Sequence, residues 1–331
     1  MPDELSLLLT NDDGIDAPGL SSLREELTAL GDVTVVAPAG NQSGVGRTRN
    51  HVAVVREHPW GYALAGTPAD CVAYGLRGLG REFDAVVSGV NDGPNAGNYV
   101  VGRSGTVGAG IEAAFLGTPA LAVSAYHTTD FFAWPPEEYD FSRPARVATG
   151  LVERALDANV YDEVDLLNVN VPVDSPEPPV ILTEPYHDYE QVIERHAPDD
   201  PVADGAGDDG SGGADAGTSD ETSDGGTSDD GTADDAETAA GDASRTVEVD
   251  GRRYDLAADE HLVRLQDRTW PGVVGMESPF PPTDEHREQY PVGTDRRAMV
   301  DAMVSVSPLT VSHGVADSPS LADVIESFEA R

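Results

Sequence analysis

Short apolar runs alternate with amphipathic stretches through the first half of the chain. Residues 5–9 form an almost continuous apolar run bounded by turn residues, which predicts a buried strand. Residues 17–30 carry leucines at positions 20, 23, 27 and 30, a helical spacing that ends before Gly31. The same reasoning predicts strands over residues 32–38, 51–56, 60–65, 83–89, 119–124 and 165–171, and helices over residues 66–79, 104–116 and 143–156. This alternation predicts an α/β fold with a doubly wound, mainly parallel sheet.

The second half of the chain has a different composition. Residues 197–245 consist mainly of Asp, Gly, Ser, Thr and Ala, which leaves almost nothing to bury and predicts a disordered acidic insert. We therefore divide the chain into a core over residues 1–196, this insert, and a C-terminal part over residues 246–331. Within the C-terminal part, the patterns predict one hairpin arm at residues 246–256, a strand at 299–309 and a closing helix at 321–330.

The charge of the chain narrows the possible functions. The formal net charge is −40, and all 20 basic residues are arginine. This argues against a duplex-binding protein and against adhesion to an anionic membrane, because both need a positive surface. Residues 199–244 carry 15 of the 60 acidic residues, so the remainder is also strongly acidic. An acidic, lysine-free protein suits solubility in concentrated salt, and we expect a halophilic source.

Other features indicate the compartment. Cys71 is the single cysteine, so no disulfide can form within the chain and a reducing environment fits. The N-terminus has no basic region, and the apolar run at residues 5–9 is too short for a signal sequence or a membrane span. We therefore expect a soluble, cytoplasmic protein.

Three polar loops follow predicted strands, at residues 11–14, 41–44 and 88–97. Because the carboxyl ends of parallel strands meet at one edge of a sheet, we expect these loops to converge. They supply carboxylate, hydroxyl and amide oxygens and no thiolate, which suits a hard cation such as Mg²⁺, Mn²⁺ or Ca²⁺. An ordinary turn is the alternative for residues 11–14, since Asn, Asp and Gly are common turn residues.

The start of a predicted helix adds a candidate anion site. Residues 103–106 read Arg-Ser-Gly-Thr, and unpaired N–H groups together with the helix dipole attract anions at such a position. Plain N-capping by Ser104 is the alternative. A cation site beside an anion-binding helix end is the arrangement that a phosphate-ester hydrolase needs. The fingerprints of dinucleotide-binding and Walker phosphate loops are missing from the sequence.

Several motifs occur in a fixed order along the chain. They are Thr-Asn-Asp-Asp-Gly-Ile-Asp-Ala-Pro-Gly at 10–19, Val-Val-Ala-Pro at 35–38, Gly-Thr-Pro-Ala-Asp-Cys-Val at 66–72, Ser-Gly-Val-Asn-Asp-Gly-Pro-Asn-Ala-Gly at 88–97, Ser-Gly-Thr-Val at 104–107, Leu-Gly-Thr-Pro-Ala-Leu-Ala-Val-Ser at 116–124 and Asn-Val-Asn-Val-Pro at 168–172. Together they resemble the SurE family of metal-dependent nucleotidases. The resemblance is close over residues 4–175 and resumes weakly at Thr294-Asp295 and at residues 304–309.

The resemblance implies a Rossmann-like core with a smaller C-terminal arm region that is exchanged between the subunits of a homodimer or homotetramer. The implied activity is hydrolysis of nucleoside 5′-monophosphates, with 3′-monophosphates as a second class of substrate. It further implies one divalent cation, most readily Mg²⁺ or Mn²⁺. The residues that match the family's metal ligands are Asp12, Asp13, Ser43 and Asn91.

We expect metal-assisted hydrolysis of the phosphomonoester. The residues predicted to surround the phosphate are Asn11, Asn95, Ser104, Gly105 and Thr106. Asp12 and Asp13 are the candidate catalytic residues, and either could accept the proton of the attacking water, with Asp12 slightly favoured.

Some positions depart from the family pattern. Arg103 stands where an aromatic residue or histidine usually precedes Ser-Gly-Thr, and Arg47 and Arg49 replace small or hydroxylic residues. The two loop arginines could bind phosphate or form surface ion pairs.

Two other functions stay open at this point. One is a broad acid phosphatase or exopolyphosphatase that uses the same site, and the other is a nucleotide-binding regulatory protein without turnover. A haloacid-dehalogenase-type phosphatase fits poorly, because that class needs two aspartates separated by one residue and Asp12 and Asp13 are adjacent.

Overall fold

A nine-stranded mixed sheet forms the centre of the protein. The computed structural model describes residues 4–50, 52–128, 139–187, 189, 191–195, 245–249, 252–257, 260–267 and 284–312. The strands of the sheet are β1 (Leu5–Thr10), β2 (Gly31–Pro38), β3 (Val54–His58), β4 (Gly61–Ala65), β5 (Ala85–Asp92), β6 (Ala120–Tyr126), β7 (Leu166–Pro172), β8 (Val180–Leu182) and β13 (Val304–Leu309). The remaining strands form two-stranded sheets, in which β9 (Gln191–Arg195) pairs with β12 (Val263–Asp267) and β10 (Arg245–Val249) pairs with β11 (Arg252–Leu256).

The strand order across the sheet is β3-β4-β2-β1-β5-β6-β7-β13-β8. The six strands from β4 to β7 are parallel, whereas β3 and β13 run antiparallel to β4 and β7. The chain builds outward from β1 through β2 and β4, and then returns to place β5 on the other side of β1. The carboxyl ends of β1 and β5 therefore flank the switch point, where doubly wound sheets bind ligands.

Helices cover both faces of the sheet. Helices α1 (Pro18–Leu27) and α5 (Ser142–Asp157) pack on the face that carries Leu7 and Leu9, and α2 (Pro68–Gly78) and α4 (Gly105–Phe115) pack on the face that carries Leu8. All three leucines are fully buried. Because side chains alternate along a strand, burial on both faces explains the continuous apolar run in the sequence. The shorter helices are α3 (Asn98–Arg103), α6 (Asp284–Gln289) and α7 (Asp295–Val300).

The doubly wound α/β fold is confirmed, and four local predictions need correction. Strand β5 continues to Asp92 through an irregularity between Ser88 and Asn91, whereas the strand was expected to end at residue 89. The segment that follows contains α3, which the pattern did not predict. Residues 246–256 contribute two strands that pair with each other, β10 and β11, rather than a single arm.

The fourth correction concerns residues 299–309. They begin in α7 and only then form β13, which enters the main sheet between β7 and β8. The segment beyond the insert thus completes the core sheet. The predicted closing helix at 321–330 and most of the predicted insert lie outside the described residues. Within the described ranges, no helix is both long and apolar enough to cross a membrane.

Candidate metal and phosphate site

The loop after β1 is a turn closed by its own residues. The side chain of Asn11 is fully buried; its Nδ2 donates to the carbonyl of Gly14 at 2.8 Å, and the N–H of Gly14 donates back to Oδ1 at 3.2 Å. Gly14 has a φ of +110°, and a Cβ there would lie 3.3 Å from the backbone of Gly40. Asn11 therefore shapes the turn, although the sequence placed it against the phosphate.

Asp12 lies at the N-terminus of α4. Its side chain is buried and accepts a hydrogen bond from the hydroxyl of Thr106. Burial raises the pKa of Asp12, while hydrogen bonds from the Thr106 hydroxyl and from the N–H groups of Gly105 and Thr106 oppose this rise. A Cβ on Gly105 would lie 2.7 Å from Oδ2 of Asp12, so only glycine allows this approach. The start of α4 therefore donates to Asp12, a contact that the sequence did not predict.

Asp13 meets a third carboxylate, that of Asp92 at the end of β5. Burial, with the neighbouring charges of Asp12 and Asp92, raises the pKa of Asp13 well above its ordinary value. Burial together with the charge of Asp12 raises the pKa of Asp92 to about 6, and its hydrogen bond with Asp13 opposes that rise. The Oδ1 atom of Asp13 is buried without a hydrogen-bond partner among the described residues. Sequence reasoning missed Asp92, although its place beside Asn91 at a strand end was a usable signal.

The loop that carries Ser43 follows β2 and contacts the turn after β1. The N–H of Gln42 donates to the carbonyl of Asp12 at 2.7 Å, which ties this loop to the β1 turn. Ser43 itself is exposed. Further along, Arg47 and Arg49 each lie 3.0 Å from the buried carboxylate of Glu112 on α4. Of the two roles considered for these arginines, the structure shows the ion pair.

Asn91 lies at the carboxyl end of β5, and Asn95 lies in the loop that follows, residues 93–97, which we call the β5 loop. The side-chain amide of Asn91 donates to the carbonyl of Gly93. Asn95 is buried, and its N–H donates to Oδ1 of Asn170 at 2.8 Å while its carbonyl accepts from Nδ2 of Asn168 at 2.8 Å and of Asn170 at 3.1 Å. Its own Nδ2 donates to the hydroxyl of Ser124 at 2.9 Å. The Asn-Val-Asn motif of β7 thus fixes this loop.

The residues before α4 have distinct roles. The hydroxyl of Ser104 accepts from the N–H of Val107 at 3.0 Å, which is the N-cap arrangement considered as an alternative. The exposed guanidinium of Arg103 lies over the ring of Tyr99, 5.5 Å from its centroid, and donates to its hydroxyl at 3.2 Å. The structure therefore brings the predicted residues of all three loops and the helix start to one edge of the sheet.

Comparison with known proteins places this geometry in context. A family model described as Survival protein SurE matches residues 7–190. Proteins named 5′-nucleotidase SurE from Natronomonas pharaonis and Halobacterium salinarum are 36% and 37% identical, over 98% of this chain and 100% and 99% of their own lengths. The crystal structure of the SurE protein from Aquifex aeolicus is similar with a TM-score of 0.60 and 25% identity, over 98% of this chain and 99% of that one. The two archaea are halophiles, as the composition predicted for the source of this chain.

Proposed function

The chain belongs to the SurE family, and from this premise we propose that it is a metal-dependent phosphomonoesterase. Its substrate is a nucleoside 5′-monophosphate, which it hydrolyses to the nucleoside and phosphate. The name 5′-nucleotidase carried by relatives that match nearly the whole chain supports this substrate class. We further propose that it works in the cytoplasm as a homodimer or homotetramer, with no duplex nucleic acid or membrane as a partner.

The observation that carries the proposal is the unpaired Oδ1 of Asp13. A buried carboxylate oxygen without a partner is costly, and a divalent cation would satisfy it. Among the residues that the structure describes, no three acidic, histidine or cysteine side chains are placed to hold a metal together. Asp12 and Asp13 would therefore need neutral oxygens from Ser43 and Asn91. Such an all-oxygen donor set fits Mg²⁺ or Mn²⁺.

The residues of the site have different proposed roles in the hydrolysis. When bound, the cation would supply Lewis acidity and lower the pKa of a water molecule. Asp12 is held in one orientation by the hydroxyl of Thr106 and by the N–H groups at the start of α4. These hydrogen bonds already occupy the Asp12 carboxylate and oppose the rise of its pKa, so we assign the proton to its neighbours, which reverses the slight preference drawn from the sequence. The proton of the attacking water goes instead to Asp13 or Asp92, whose carboxylates lie together.

The phosphate is bound between the β5 loop and the start of α4. Asn95 is held in one position by β6 and β7, so its side chain is pre-organised. Ser104, Gly105 and Thr106 remain the proposed contacts at the helix start, and Arg103 adds an exposed guanidinium beside them. Asn11 acts indirectly, because both of its polar groups maintain the turn.

Phosphate release tests the proposed function directly. The purified protein is assayed in molar KCl with 5′-AMP, 3′-AMP, p-nitrophenyl phosphate and polyphosphate, each with Mn²⁺, Mg²⁺ or EDTA. We expect the fastest release from 5′-AMP, its loss in EDTA and its recovery with excess Mn²⁺. Faster release from p-nitrophenyl phosphate or polyphosphate would favour the broad phosphatase, and binding of 5′-AMP without release would favour the regulatory protein.

A further inference from the structure

Asp295, which follows the acidic insert in the sequence, forms hydrogen bonds with three separate parts of the chain. Its side chain is fully buried at the first position of α7. Oδ2 accepts from the N–H of Gly97 at 2.7 Å, and Oδ1 accepts from the N–H of Tyr186 at 2.9 Å and of Arg296 at 2.7 Å. A buried carboxylate that accepts three backbone N–H groups is a fixed anchor, because each donor would otherwise be left unpaired.

The Gly97 contact matters because Gly97 ends the β5 loop. The same loop carries Asn95 and follows Asn91 at the end of β5, and α3 starts directly after it. The N–H of the next residue, Asn98, donates to the carbonyl of Tyr186 at 2.9 Å. Asp295 and Tyr186 thus hold two successive N–H groups at the point where the loop enters α3.

Arg296 closes the space beside the same glycine. Gly97 has a φ of +83°, and a Cβ built there would lie 2.7 Å from Nε of Arg296. The guanidinium also lies over the ring of Tyr186, 5.4 Å from its centroid. The backbone of Gly97 is therefore hydrogen-bonded to Asp295 and packed against Arg296.

We propose that Asp295 is a positioning residue for the β5 loop and, through it, for Asn91 at the end of β5. It fixes the C-terminal end of the loop at Gly97, while Asn170 fixes the middle at Asn95. With both points fixed, Asn91 is presented in one position at the carboxyl end of β5. The inference rests on the proposed function for the identity of the substrate, but its effect on metal binding can be measured without substrate.

Asp301 provides a matched control at the other end of α7. Its carboxylate lies 3.2 Å from Nε of Arg287 and 2.6 Å from Nε of Arg297. Asp301→Asn removes one negative charge from the same short helix and disturbs its packing without touching the Gly97 contact. A loss of Mn²⁺ affinity that came only from disturbing this helix would therefore also appear in Asp301→Asn.

The first experiment compares Asp295→Asn with Asp301→Asn in the full chain. Mn²⁺ binding is measured by titration calorimetry without nucleotide, and kcat and KM are then measured with 5′-AMP. We expect Asp295→Asn to melt cooperatively and to bind Mn²⁺ about tenfold more weakly, as changes behind metal ligands commonly do, with Asp301→Asn close to wild type. Wild-type Mn²⁺ affinity in Asp295→Asn, or equal losses in both variants, would overturn the proposal. Mn²⁺ binding without phosphate release would contradict the proposed function and leave the positioning role intact.

Gly97→Ala approaches the same contact from the loop. The added Cβ meets Arg296 and disfavours the left-handed backbone, so we expect weaker Mn²⁺ binding here too. If both changes act through one contact, the double variant binds Mn²⁺ no more weakly than the more severe single variant. Losses that multiply in the double variant would overturn the proposal. Should Asp295→Asn fail to fold, unchanged Mn²⁺ affinity in Gly97→Ala would overturn it alone.

Discussion

The loops after β1 and β5 meet at the site but are held in opposite ways. The β1 loop closes on itself, since Asn11 and Gly14 bond to each other in both directions. The β5 loop is held from a distance, because Asn170 binds Asn95 across 75 positions and Asp295 binds Gly97 across 198. The first loop therefore carries its geometry in neighbouring residues, whereas the second takes its geometry from the rest of the fold. Changes in the C-terminal part of the chain should therefore reach the chemistry through the second loop.

The largest effects are expected in the first loop. Asp12→Asn and Asp13→Asn should each abolish activity, with losses on the order of 10³-fold, because each removes a proposed metal ligand. Their stabilities should differ. Asp12→Asn puts an amide against N–H donors and should cost about 1–3 kcal/mol, whereas Asp13→Asn removes a carboxylate disfavoured by burial and by like charges. Phosphate release from 5′-AMP and thermal melting check both; wild-type turnover of either variant at saturating Mn²⁺ would refute the assignment.

The next effect concerns the support of the second loop. Asn170→Ala removes an acceptor for the N–H of Asn95 and a donor to its carbonyl, so the buried N–H loses its partner. We expect kcat/KM to fall about 10- to 100-fold and stability to fall by about 1–3 kcal/mol.

Asn168→Ala serves as the control for that prediction. Asn168 donates one hydrogen bond to the carbonyl of Asn95, and that carbonyl keeps its bond from Asn170. The losses of kcat/KM and of stability should therefore both be smaller than in Asn170→Ala. Equal or larger losses in Asn168→Ala would show that the loop is not held as described.

A smaller effect links metal binding to pH. Burial raises the pKa of Asp92 to about 6 in the metal-free protein, against about 3.9 for an unfolded aspartate. The folded state then binds more protons, so this group makes the metal-free protein less stable as pH rises from about 4 to about 6. Mn²⁺ requires ionised carboxylates, so its stabilising effect should grow as pH rises from about 5 to about 7. Melting temperatures measured with and without Mn²⁺ across this pH range test the prediction. A rise in melting temperature on adding Mn²⁺ that does not depend on pH would contradict it.

The smallest effect is expected where the Ser43 loop is tied to α4. Glu112→Gln weakens the ion pairs with Arg47 and Arg49, whose side chains are 45% and 48% exposed. We expect a stability loss of at most about 1 kcal/mol that shrinks in molar KCl, with kcat changed by no more than about twofold. Chemical unfolding in dilute and concentrated KCl measures the stability loss. A loss of kcat as large as that in Asn170→Ala would show that these pairs control the site.

The same contrast explains what could be predicted from the sequence. The β1 run and its turn were predictable, because burial pattern and turn chemistry are local. The carboxylate that occupies the start of α4 was not, since Thr106 and Asp12 are 94 positions apart. Asp92 was missed because the glycine before Val90 suggested the end of a strand that in fact continues through an irregularity.

The C-terminal segment illustrates a second limit. Met299 and Val300 are buried in α7, and their apolar character alone does not distinguish a helix from the strand that was predicted. Thr294 is the N-cap of that helix, with its hydroxyl accepting from the N–H of Arg297, and this cap was the available local signal. The contact of Asp295 with the site depends on tertiary packing that no local pattern encodes.

The most direct test of the account is a Mn²⁺ titration of the wild-type protein and of Asp13→Asn, in molar KCl and without nucleotide. The account predicts one Mn²⁺ per chain in the wild type and no detectable binding in the variant, because the unpaired carboxylate oxygen of Asp13 is the centre of the proposed metal site. A folded Asp13→Asn protein that binds Mn²⁺ with wild-type affinity would contradict it.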